Sequence, residues 1–328
     1  MKYRKLGASA LEVSEISFGC WTMGGLNWVG GQPNGWADPS EDEVTAGVKV
    51  ALDAGVNHFD NADVYGNGKA ERMLARCLDR LGVKNTSVII ATKVGHFPGT
   101  AEHAYESAHI RHQCEQSLVN LKRDYIDLYY FHHGNFGPED RYLEGAVDMM
   151  RRLVKEGKVG WVGLSAYSAD DFERLVPIVK PVCLQSSSSM LGDPYIAPGS
   201  RVQKLMEKHN LSFVAFGPLA KGRLLDKYDA ANPPQFEPGD HRRNNPGFTP
   251  DALRDLHAKL LQIKMRFGAT PEDLAAVALN FVLEHPRVAC VIPGFRNARQ
   301  AACNVRAAGR RLSTEDLDFI CAVFREKK

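Results

Sequence analysis

The chain alternates along most of its length between short apolar runs and longer amphipathic segments. Eight apolar runs are predicted to be strands, and they lie at 16–19, 56–60, 88–92, 126–131, 159–164, 182–185, 211–216 and 289–292. Helices are predicted at 40–54, 69–81, 109–121, 141–156, 200–209, 250–266, 271–284 and 313–324, with two more that begin near 170 and 297. The strands are often β-branched, as is typical of parallel strands buried on both faces. Eight such repeats predict an α/β fold, the (β/α)8 or TIM barrel, as one domain over residues 1–328.

A doubly wound sheet is the alternative fold. A doubly wound dinucleotide-binding sheet typically has the glycine-rich turn G-x-G-x-x-G after its first strand. The residues that follow Phe18-Gly19 lack this turn. Outside the repeats, residues 1–13 predict an N-terminal β-hairpin, and the last segments predict extra C-terminal helices. We expect a long loop rich in Gly and Trp between Trp21 and Trp36, a capping box of Ser40 and Glu43, and a polar loop insertion at 221–249.

Composition argues against several classes of protein. The net charge of +2 is nearly balanced, so we expect no nucleic-acid partner. No apolar run is long enough to span a membrane, and no signal peptide is recognised. The seven cysteines are scattered without C-x-x-C spacing, which favours a reduced compartment and no zinc site. We therefore expect a cytoplasmic protein, whose oligomeric state the sequence does not specify.

Polar side chains stand where three consecutive predicted strands end. Asp60 ends the second strand and Tyr65 lies in the loop after it, Lys93 follows the third strand, and His132 follows the fourth. An ammonium group lowers the pKa of a nearby phenol, so we expect Lys93 to lower that of Tyr65 while Asp60 orients Lys93. His132 would donate to a carbonyl oxygen. The set lacks a reductant, which implies a nicotinamide cofactor.

Six stretches along the chain together resemble the aldo-keto reductase superfamily. They read F-D-N-A-D-V-Y-G, A-T-K-V-G, D-L-Y-Y-F-H, V-G-L-S-A, F-G-P-L-A-K-G and V-I-P-G-F-R. The resemblance implies a barrel that binds extended NADPH without a Rossmann motif. It also implies the catalytic tetrad Asp60, Tyr65, Lys93 and His132, with Tyr65 as the proton donor and His133 as a neighbour that lines the pocket. The glutamine at position 300 is similar to the residue in the branch that includes potassium-channel β-subunits and bacterial relatives, whereas other branches carry Arg there.

The resemblance also assigns cofactor contacts. Ser165 and Gln185 would hold the nicotinamide carboxamide, and Phe216 would stack on the ring. The pyrophosphate loop would contain Gly217, Leu219, Lys221 and Gly222, and the adenosine-phosphate segment would contain Gly294, Arg296, Gln300 and Asn304. Arg296 suits a 2′-phosphate because guanidinium groups bind phosphate well. Ala166 and Cys303 depart from the family pattern, which leaves NADH possible beside NADPH/NADP+.

The substrate would be a small-molecule carbonyl compound, bound at the mouth of the barrel. Trp21, Trp28, His96, Phe97 and His133 are the predicted pocket residues. The insertion at 223–248 is either a solvated loop or a lid, and its run His241-Arg242-Arg243 is either solvated or binds an anionic group. The serines at 186–189 predict a roomier or more polar surface beneath the nicotinamide.

Two functions of different classes remain. The first is an NADPH-dependent oxidoreductase that reduces an aldehyde, ketone or sugar-like carbonyl. The second is a cofactor-binding regulatory or redox-sensing subunit with slow turnover. A metal-dependent hydrolase is disfavoured, because His132 and His133 point to opposite faces of a strand and cannot both bind one ion.

Overall fold

The computed structural model describes residues 1–325, and within them strands and helices alternate as predicted. The strands are β1 (Tyr3–Lys5), β2 (Glu12–Ser14), β3 (Phe18–Gly19), β4 (Leu26–Val29), β5 (Gln32–Gly35), β6 (His58–Asp60), β7 (Ile89–Val94), β8 (Ile126–Phe131), β9 (Val159–Ser165), β10 (Cys183–Ser187), β11 (Ser212–Phe216) and β12 (Val288–Ile292). The helices are α1 (Glu41–Asp53), α2 (Lys69–Arg80), α3 (Ser107–Leu121), α4 (Leu143–Lys155), α5 (Ala169–Val179), α6 (Arg201–His209), α7 (Pro250–Phe267), α8 (Pro271–Leu283), α9 (Ala298–Val305) and α10 (Thr314–Phe324).

Over the described residues, eight parallel strands pair in the order β12-β11-β10-β9-β8-β7-β6-β3. Parallel bridges join Ile16 to Val291 and Gly19 to Gly294, so the first and last strands meet and the sheet closes. Closure removes the exposed strand edges that an open sheet would leave. The predicted (β/α)8 barrel is therefore confirmed, and the doubly wound alternative is wrong.

The N-terminal hairpin covers the amino-terminal end of the barrel. Strands β1 and β2 pair antiparallel, as predicted. Leu6 and Val13 are fully buried in one cluster with barrel residues such as Leu128 and Val214. The backbone N–H of Gly7 donates to Ser212 Oγ at 2.7 Å, at the start of β11. Since this end is closed by apolar packing, the barrel is open to ligands only at the carboxyl ends of its strands.

Two local predictions are wrong. The expected Gly- and Trp-rich loop contains a hairpin of β4 and β5, whose turn Gly30-Gly31 has positive φ at both positions, as a type I′ turn requires. The expected capping box at Ser40 does not form, because the Ser40 side chain makes no cap hydrogen bond. Glu41, Asp42 and Glu43 lie in the first turn instead and favour the positive end of the helix dipole.

The insertion after β11 is largely irregular, as predicted, with short 3-10 turns at Ala220–Leu225 and Pro246–Phe248. It reaches the β4–β5 hairpin, where the N–H of Gly35 donates to Gly239 O at 2.9 Å and the N–H of His241 donates to Gly35 O at 2.7 Å. The insertion and the hairpin therefore form one layer beside the carboxyl end of the barrel. Between residues 1 and 325, no helix combines the length and apolarity needed to cross a membrane.

Candidate active site

The four residues predicted at the strand ends lie together at the carboxyl end of the barrel. Lys93, on β7, donates through Nζ to the Asp60 carboxylate and to the carbonyl oxygen of Asn61, the latter at 2.6 Å. The Tyr65 hydroxyl lies 3.5 Å from Lys93 Nζ. The ring of His132 meets the Tyr65 ring edge-on, with 5.8 Å between centroids. The geometry thus places a phenol between an ammonium group and an imidazole.

The ion pair of Lys93 and Asp60 is almost completely buried, with side-chain exposures of 0% and 2%. A buried ion pair is tolerated when its remaining polar atoms are also hydrogen-bonded. Gln185 Nε2 donates to Asp60 Oδ2 at 2.8 Å and meets this need. Gln185 lies on β10, four strands from β6 in the sheet order, so this hydrogen bond crosses the barrel interior.

A tight turn fixes Tyr65 above Lys93. The N–H of Asp63 donates to Lys93 O at 3.1 Å, and the N–H of Tyr65 donates to Ala62 O at the same distance. Gly66 has φ +59°, and a Cβ there would lie 2.0 Å from Gly24 O. Only glycine fits at 66, because any side chain would push this turn and Tyr65 away from the barrel.

Burial raises the pKa of Tyr65 well above its usual value, and the Asp60 carboxylate raises it further. The net shift of the Tyr65 pKa is therefore upward, opposite to the shift predicted from Lys93 alone. The physical reason is that the Lys93 ammonium is engaged by Asp60 and Asn61, and its distance of 3.5 Å from the Tyr65 hydroxyl is long for a hydrogen bond. Tyr65 therefore keeps its proton near neutral pH.

Burial also lowers the pKa of His132 well below its usual value, with further lowering by His96 and Lys93. His132 is therefore a neutral imidazole, able to donate one hydrogen bond without carrying charge. His133, the rival histidine, is used by the backbone: its Nε2 donates to Gly95 O at 2.7 Å, and its Nδ1 accepts from the N–H of Asn135 at 3.1 Å. His133 therefore supports the pocket wall without offering a free ring nitrogen.

The aromatic residues predicted for the pocket fall in different places. Trp21 stacks on Tyr65, with 5.8 Å between ring centroids, and His96 packs 4.4 Å from His132. Trp28 is 54% exposed and lines a cleft of about 450 Å³ between the β4–β5 hairpin and the insertion. Phe97 is half-buried, and its carbonyl oxygen accepts from His109 Nε2 at 2.7 Å. Trp21 and His96 thus contact the tetrad, whereas no such contact is found for Trp28 or Phe97.

The basic run of the insertion has two roles in the structure. Arg242 is paired with Asp240 through two hydrogen bonds of 2.9 and 2.6 Å, so its charge is already neutralised. Its guanidinium lies over the rings of Trp36 and Phe236. His241 packs on Trp21, with 4.5 Å between centroids, and burial lowers its pKa to about 4. Arg242 therefore anchors the insertion on Trp36 and Phe236, and His241 packs behind Trp21 at the edge of the pocket.

Comparison with known proteins identifies the fold family. The model of the aldo/keto reductase family matches residues 15–323. The chain belongs to the aldo/keto reductase family. Aldo-keto reductase str7 of Strobilurus tenacellus is 33% identical over 334 residues, which cover 99% of this chain and 92% of that protein.

Two further relatives match the predicted branch of this family. A probable voltage-gated potassium channel subunit beta of Arabidopsis thaliana is 27% identical, with 94% of this chain and 91% of that protein covered. The solved holo form of aldo-keto reductase AKR11C1 from Bacillus halodurans has a TM-score of 0.74 at 26% identity, with 98% of this chain and 96% of that chain covered. The resemblance seen in the sequence is thus confirmed.

Aldo-keto reductases use nicotinamide cofactors, and several residues at the barrel mouth fit one. Ser165 Oγ, at the end of β9, is buried and lacks a hydrogen-bond partner within residues 1–325. Such an orphaned hydroxyl suits a carboxamide group. Phe216 ends β11 half-buried, and Gly217 after it has φ +66° with open space around it. Gln185, predicted beside Ser165, donates one amide N–H to Asp60 Oδ2.

The other predicted cofactor residues lie in the turn after β11 and around the start of α9. Lys221 has φ +62° and no salt bridge within the described residues, while Leu219 and Gly222 flank it in the same turn. The buried Asn304 donates to Gly294 O at 3.3 Å. Gln300 Oε1 accepts from the N–H of Arg296 at 2.9 Å, and the Arg296 guanidinium donates to Ala37 O at the same distance. All of these residues lie along the path from β11 to α9.

Sequence reasoning missed two residues beside the tetrad. Tyr167 follows β9, and its hydroxyl lies 3.5 Å from His96 Nε2. Asp63 is buried behind Lys93, and within residues 1–325 neither of its carboxylate oxygens has a partner. Asp63 stands inside the motif F-D-N-A-D-V-Y-G, so its place in that stretch was the available signal. Tyr167 follows the motif V-G-L-S-A directly, and an aromatic residue at that strand end was the corresponding clue.

Proposed function

We propose that this protein is an NADPH-dependent oxidoreductase that reduces an aldehyde, ketone or sugar-like carbonyl by hydride transfer, with Tyr65 as the general acid. The observation that carries the proposal is the position of the Tyr65 hydroxyl, 3.5 Å from the buried Lys93–Asp60 pair and edge-on to the neutral His132. Tyr65 is the acid of the tetrad that keeps its proton near neutral pH, and it lies at the open end of the barrel.

Ser165, Phe216 and the turn from Gly217 to Gly222 would hold the nicotinamide half of the cofactor, and Arg296, Gln300 and Asn304 would hold the adenosine half. When bound there, the reduced nicotinamide supplies a hydride to the carbonyl carbon. NADPH and NADH differ only in the 2′-phosphate on the adenosine half, so the residues that hold this half determine the cofactor preference. Arg296 is the candidate for the 2′-phosphate, since it directly precedes Asn297, the N-cap of α9, and a guanidinium suits phosphate geometry.

The chain's own residues manage the proton and the developing charge. Tyr65 holds its proton at neutral pH and transfers it to the carbonyl oxygen as negative charge develops there. The Lys93 ammonium then stabilises the phenolate that remains, and Asp60 and Gln185 keep Lys93 in place. His132 donates a hydrogen bond to the same oxygen, and its neutral state avoids a second cation beside Lys93.

A second candidate is a redox-sensing subunit that binds the cofactor and turns over slowly. It is supported by the similarity to a protein named as a potassium channel subunit. The two candidates share the cofactor and differ in rate, so one experiment separates them. We also propose a cytoplasmic location, which the seven unpaired cysteines favour.

The test is fluorescence titration of the purified protein with NADPH and NADH, followed by a carbonyl panel with the tighter cofactor. Tight NADPH binding with multiple turnovers of an aldehyde or ketone supports the reductase. Tight binding without turnover on any carbonyl favours the sensing subunit, and failure to bind either cofactor contradicts both. Arg296→Ala should weaken NADPH at least about tenfold more than NADH, because it removes a charge-assisted contact. Equal weakening would exclude a role at the 2′-phosphate.

A further inference from the structure

We propose that His96 and Tyr167 form a second oxygen-binding subsite beside the tetrad, which selects carbonyl compounds that carry a hydroxyl on the carbon next to the carbonyl. The inference rests on the proposed carbonyl reduction and names its substrate class. The α-hydroxy ketones and α-hydroxy aldehydes are the compounds with this arrangement of two adjacent oxygens.

His96 is placed over the tetrad by the bend that follows β7. Gly95 has φ +146°, and a Cβ at this position would meet the Tyr105 hydroxyl at 2.6 Å. The chain therefore turns sharply at Gly95 and directs His96 across the barrel mouth. The His96 ring lies 4.4 Å from the His132 ring, which it meets edge-on. His96 is thus one ring away from the group proposed to bind the carbonyl oxygen.

His133 packs against His96, and its own ring nitrogens are already hydrogen-bonded to the backbone. The His133 ring packs 4.7 Å from the His96 ring. Both His133 nitrogens are engaged by backbone groups, and the Tyr105 hydroxyl donates to His133 O at 2.8 Å. This support fixes the position of His96, as a group that binds a substrate oxygen needs to be fixed.

Tyr167 completes the subsite from the other side. It is 53% exposed at the mouth, and its backbone oxygen accepts from the Tyr195 hydroxyl. Its own hydroxyl lies 3.5 Å from His96 Nε2, and its ring meets the ring of Phe216 edge-on at 6.4 Å. Tyr167 therefore extends from the proposed nicotinamide residue Phe216 to His96, across the space where a substrate would enter.

The chemistry of the subsite favours a neutral hydroxyl over an anionic group. Burial, with His133 and Lys93 adding to it, lowers the pKa of His96 to about 4, and partial burial of the otherwise exposed Tyr167 raises the pKa of its phenol. Both groups are therefore neutral near pH 7 and offer donors and acceptors without charge. The Lys93 charge is already matched by Asp60. A phosphate or carboxylate would meet two neutral groups at this pair, whereas a hydroxyl can both donate to and accept from them.

The spacing fits two oxygens on adjacent carbons. Such oxygens lie about one hydrogen-bond length apart. Tyr65 and His132 would bind the carbonyl oxygen, and His96 with Tyr167 would bind the hydroxyl, because the two imidazole rings are neighbours at 4.4 Å. A hydroxyl one carbon further along the chain would lie beyond this pair of rings and lose the contact.

The test compares hydroxyacetone with butanone, since the two ketones differ only in a hydroxyl in place of a methyl group. The protein with its preferred reduced cofactor should have a kcat/KM for hydroxyacetone on the order of 10–100-fold higher, as expected from two hydrogen bonds. Most of the difference should appear in KM, because the hydroxyl is remote from the reacting bond. 4-Hydroxybutan-2-one should lose most of the preference.

Two variants assign the preference to the subsite. Tyr167→Phe and His96→Phe keep an aromatic ring and remove the polar group, and each should lower the hydroxyacetone-to-butanone ratio about 3–10-fold. Tyr125→Phe is the matched control, because its hydroxyl lies before the start of β8 at the opposite end of the barrel. It should keep the ratio of the unmodified protein. Equal kcat/KM for the two ketones, or a ratio unchanged in both subsite variants, would overturn the proposal.

A binding measurement separates this proposal from the reductase on which it rests. 1,2-Propanediol and 2-butanol are titrated into the NADP+-saturated protein, with tryptophan fluorescence as the readout because Trp21 stacks on Tyr65. Tighter binding of the diol that is lost in Tyr167→Phe supports the subsite even if no carbonyl is reduced. Equal binding of the two alcohols contradicts the subsite, even if butanone is reduced well.

Discussion

Gln185 donates from Nε2 to Asp60 Oδ2 at 2.8 Å, across the full width of the barrel. The resemblance to aldo-keto reductases implies that Gln185 contacts the nicotinamide carboxamide, yet its amide nitrogen is engaged by the carboxylate that orients Lys93. Asp60 therefore has partners from both sides, Lys93 on the neighbouring strand and Gln185 on the opposite one. If Tyr65 is the proton donor as proposed, this arrangement gives Gln185 a role in positioning Lys93 beneath it.

Gln185→Met keeps the volume of the side chain and removes the donor to Asp60. We expect kcat to fall about tenfold while the Kd for NADPH changes less than about threefold, because an unsatisfied buried carboxylate disturbs Lys93 rather than the cofactor. Ser165→Ala is the comparison, and it should weaken NADPH more than it lowers kcat. The two constants come from steady-state kinetics and fluorescence titration. A loss of NADPH affinity that exceeds the loss of kcat in Gln185→Met would assign this residue to the carboxamide.

The dependence of kcat on pH follows from the shifted pKa values of Tyr65 and His132. Tyr65 must be protonated, and its pKa is raised well above 10, so it stays an acid as the pH rises. His132 must be neutral, and its pKa is lowered well below 6.5, so it stays neutral as the pH falls. We expect kcat at saturating cofactor to vary less than about threefold between pH values of about 6 and 9. A steady tenfold loss per pH unit above about 7 would mean that Lys93 controls the pKa of Tyr65 after all.

Asp63 predicts an unusual dependence of stability on pH. Burial raises its pKa well above 3.8, and the neighbouring Glu71 raises it further. A folded pKa above the unfolded value means that folding favours the protonated form, so stability declines as the pH rises between the two values. Asp63→Asn removes this titration with little change in shape. We expect its Tm to exceed that of the unmodified protein by about 2 °C near pH 8, with the difference shrinking near pH 5.

Glu71→Gln provides the contrast to Asp63→Asn. Glu71 is equally buried, but its carboxylate accepts from Thr92 Oγ1 at 2.6 Å and from Asn120 Nδ2 at 2.9 Å. An amide loses one of these acceptors, so Glu71→Gln should lower Tm at the same pH. The same thermal scans provide the check. A lowered Tm for Asp63→Asn near pH 8 would show that the ionised Asp63 carboxylate has stabilising hydrogen-bond partners in the folded protein.

The fold was predictable because most barrel strands are short and mainly apolar, as burial on both faces requires. The β4–β5 hairpin was not recognised, since β5 has no apolar alternation and β4 buries the polar Asn27 while exposing the apolar Trp28. Its usable signal was the pair Gly30-Gly31, which fits a two-residue hairpin turn. The prediction of a capping box was wrong because the spacing of Ser40 and Glu43 does not determine side-chain orientation, and Ser40 makes no side-chain cap hydrogen bond.

The tetrad was predictable because its members follow consecutive strands, and parallel strands end at one edge. The hydrogen bond from Gln185 to Asp60 was not, because it joins strands on opposite sides of the barrel and depends on the register between them. The raised pKa of Tyr65 was also missed, since the depth of burial and the engagement of Lys93 by two oxygens are properties of the folded chain.

The central claim is that the Tyr65 hydroxyl delivers the proton, and Tyr65→Phe tests it most directly. The variant keeps the ring that stacks on Trp21 and removes only the hydroxyl near Lys93. We expect NADPH affinity to stay within about threefold of the unmodified value while kcat for carbonyl reduction falls by at least about 10²-fold, as expected for the loss of a general acid. Unchanged turnover in Tyr65→Phe, with NADPH binding intact, would contradict the account.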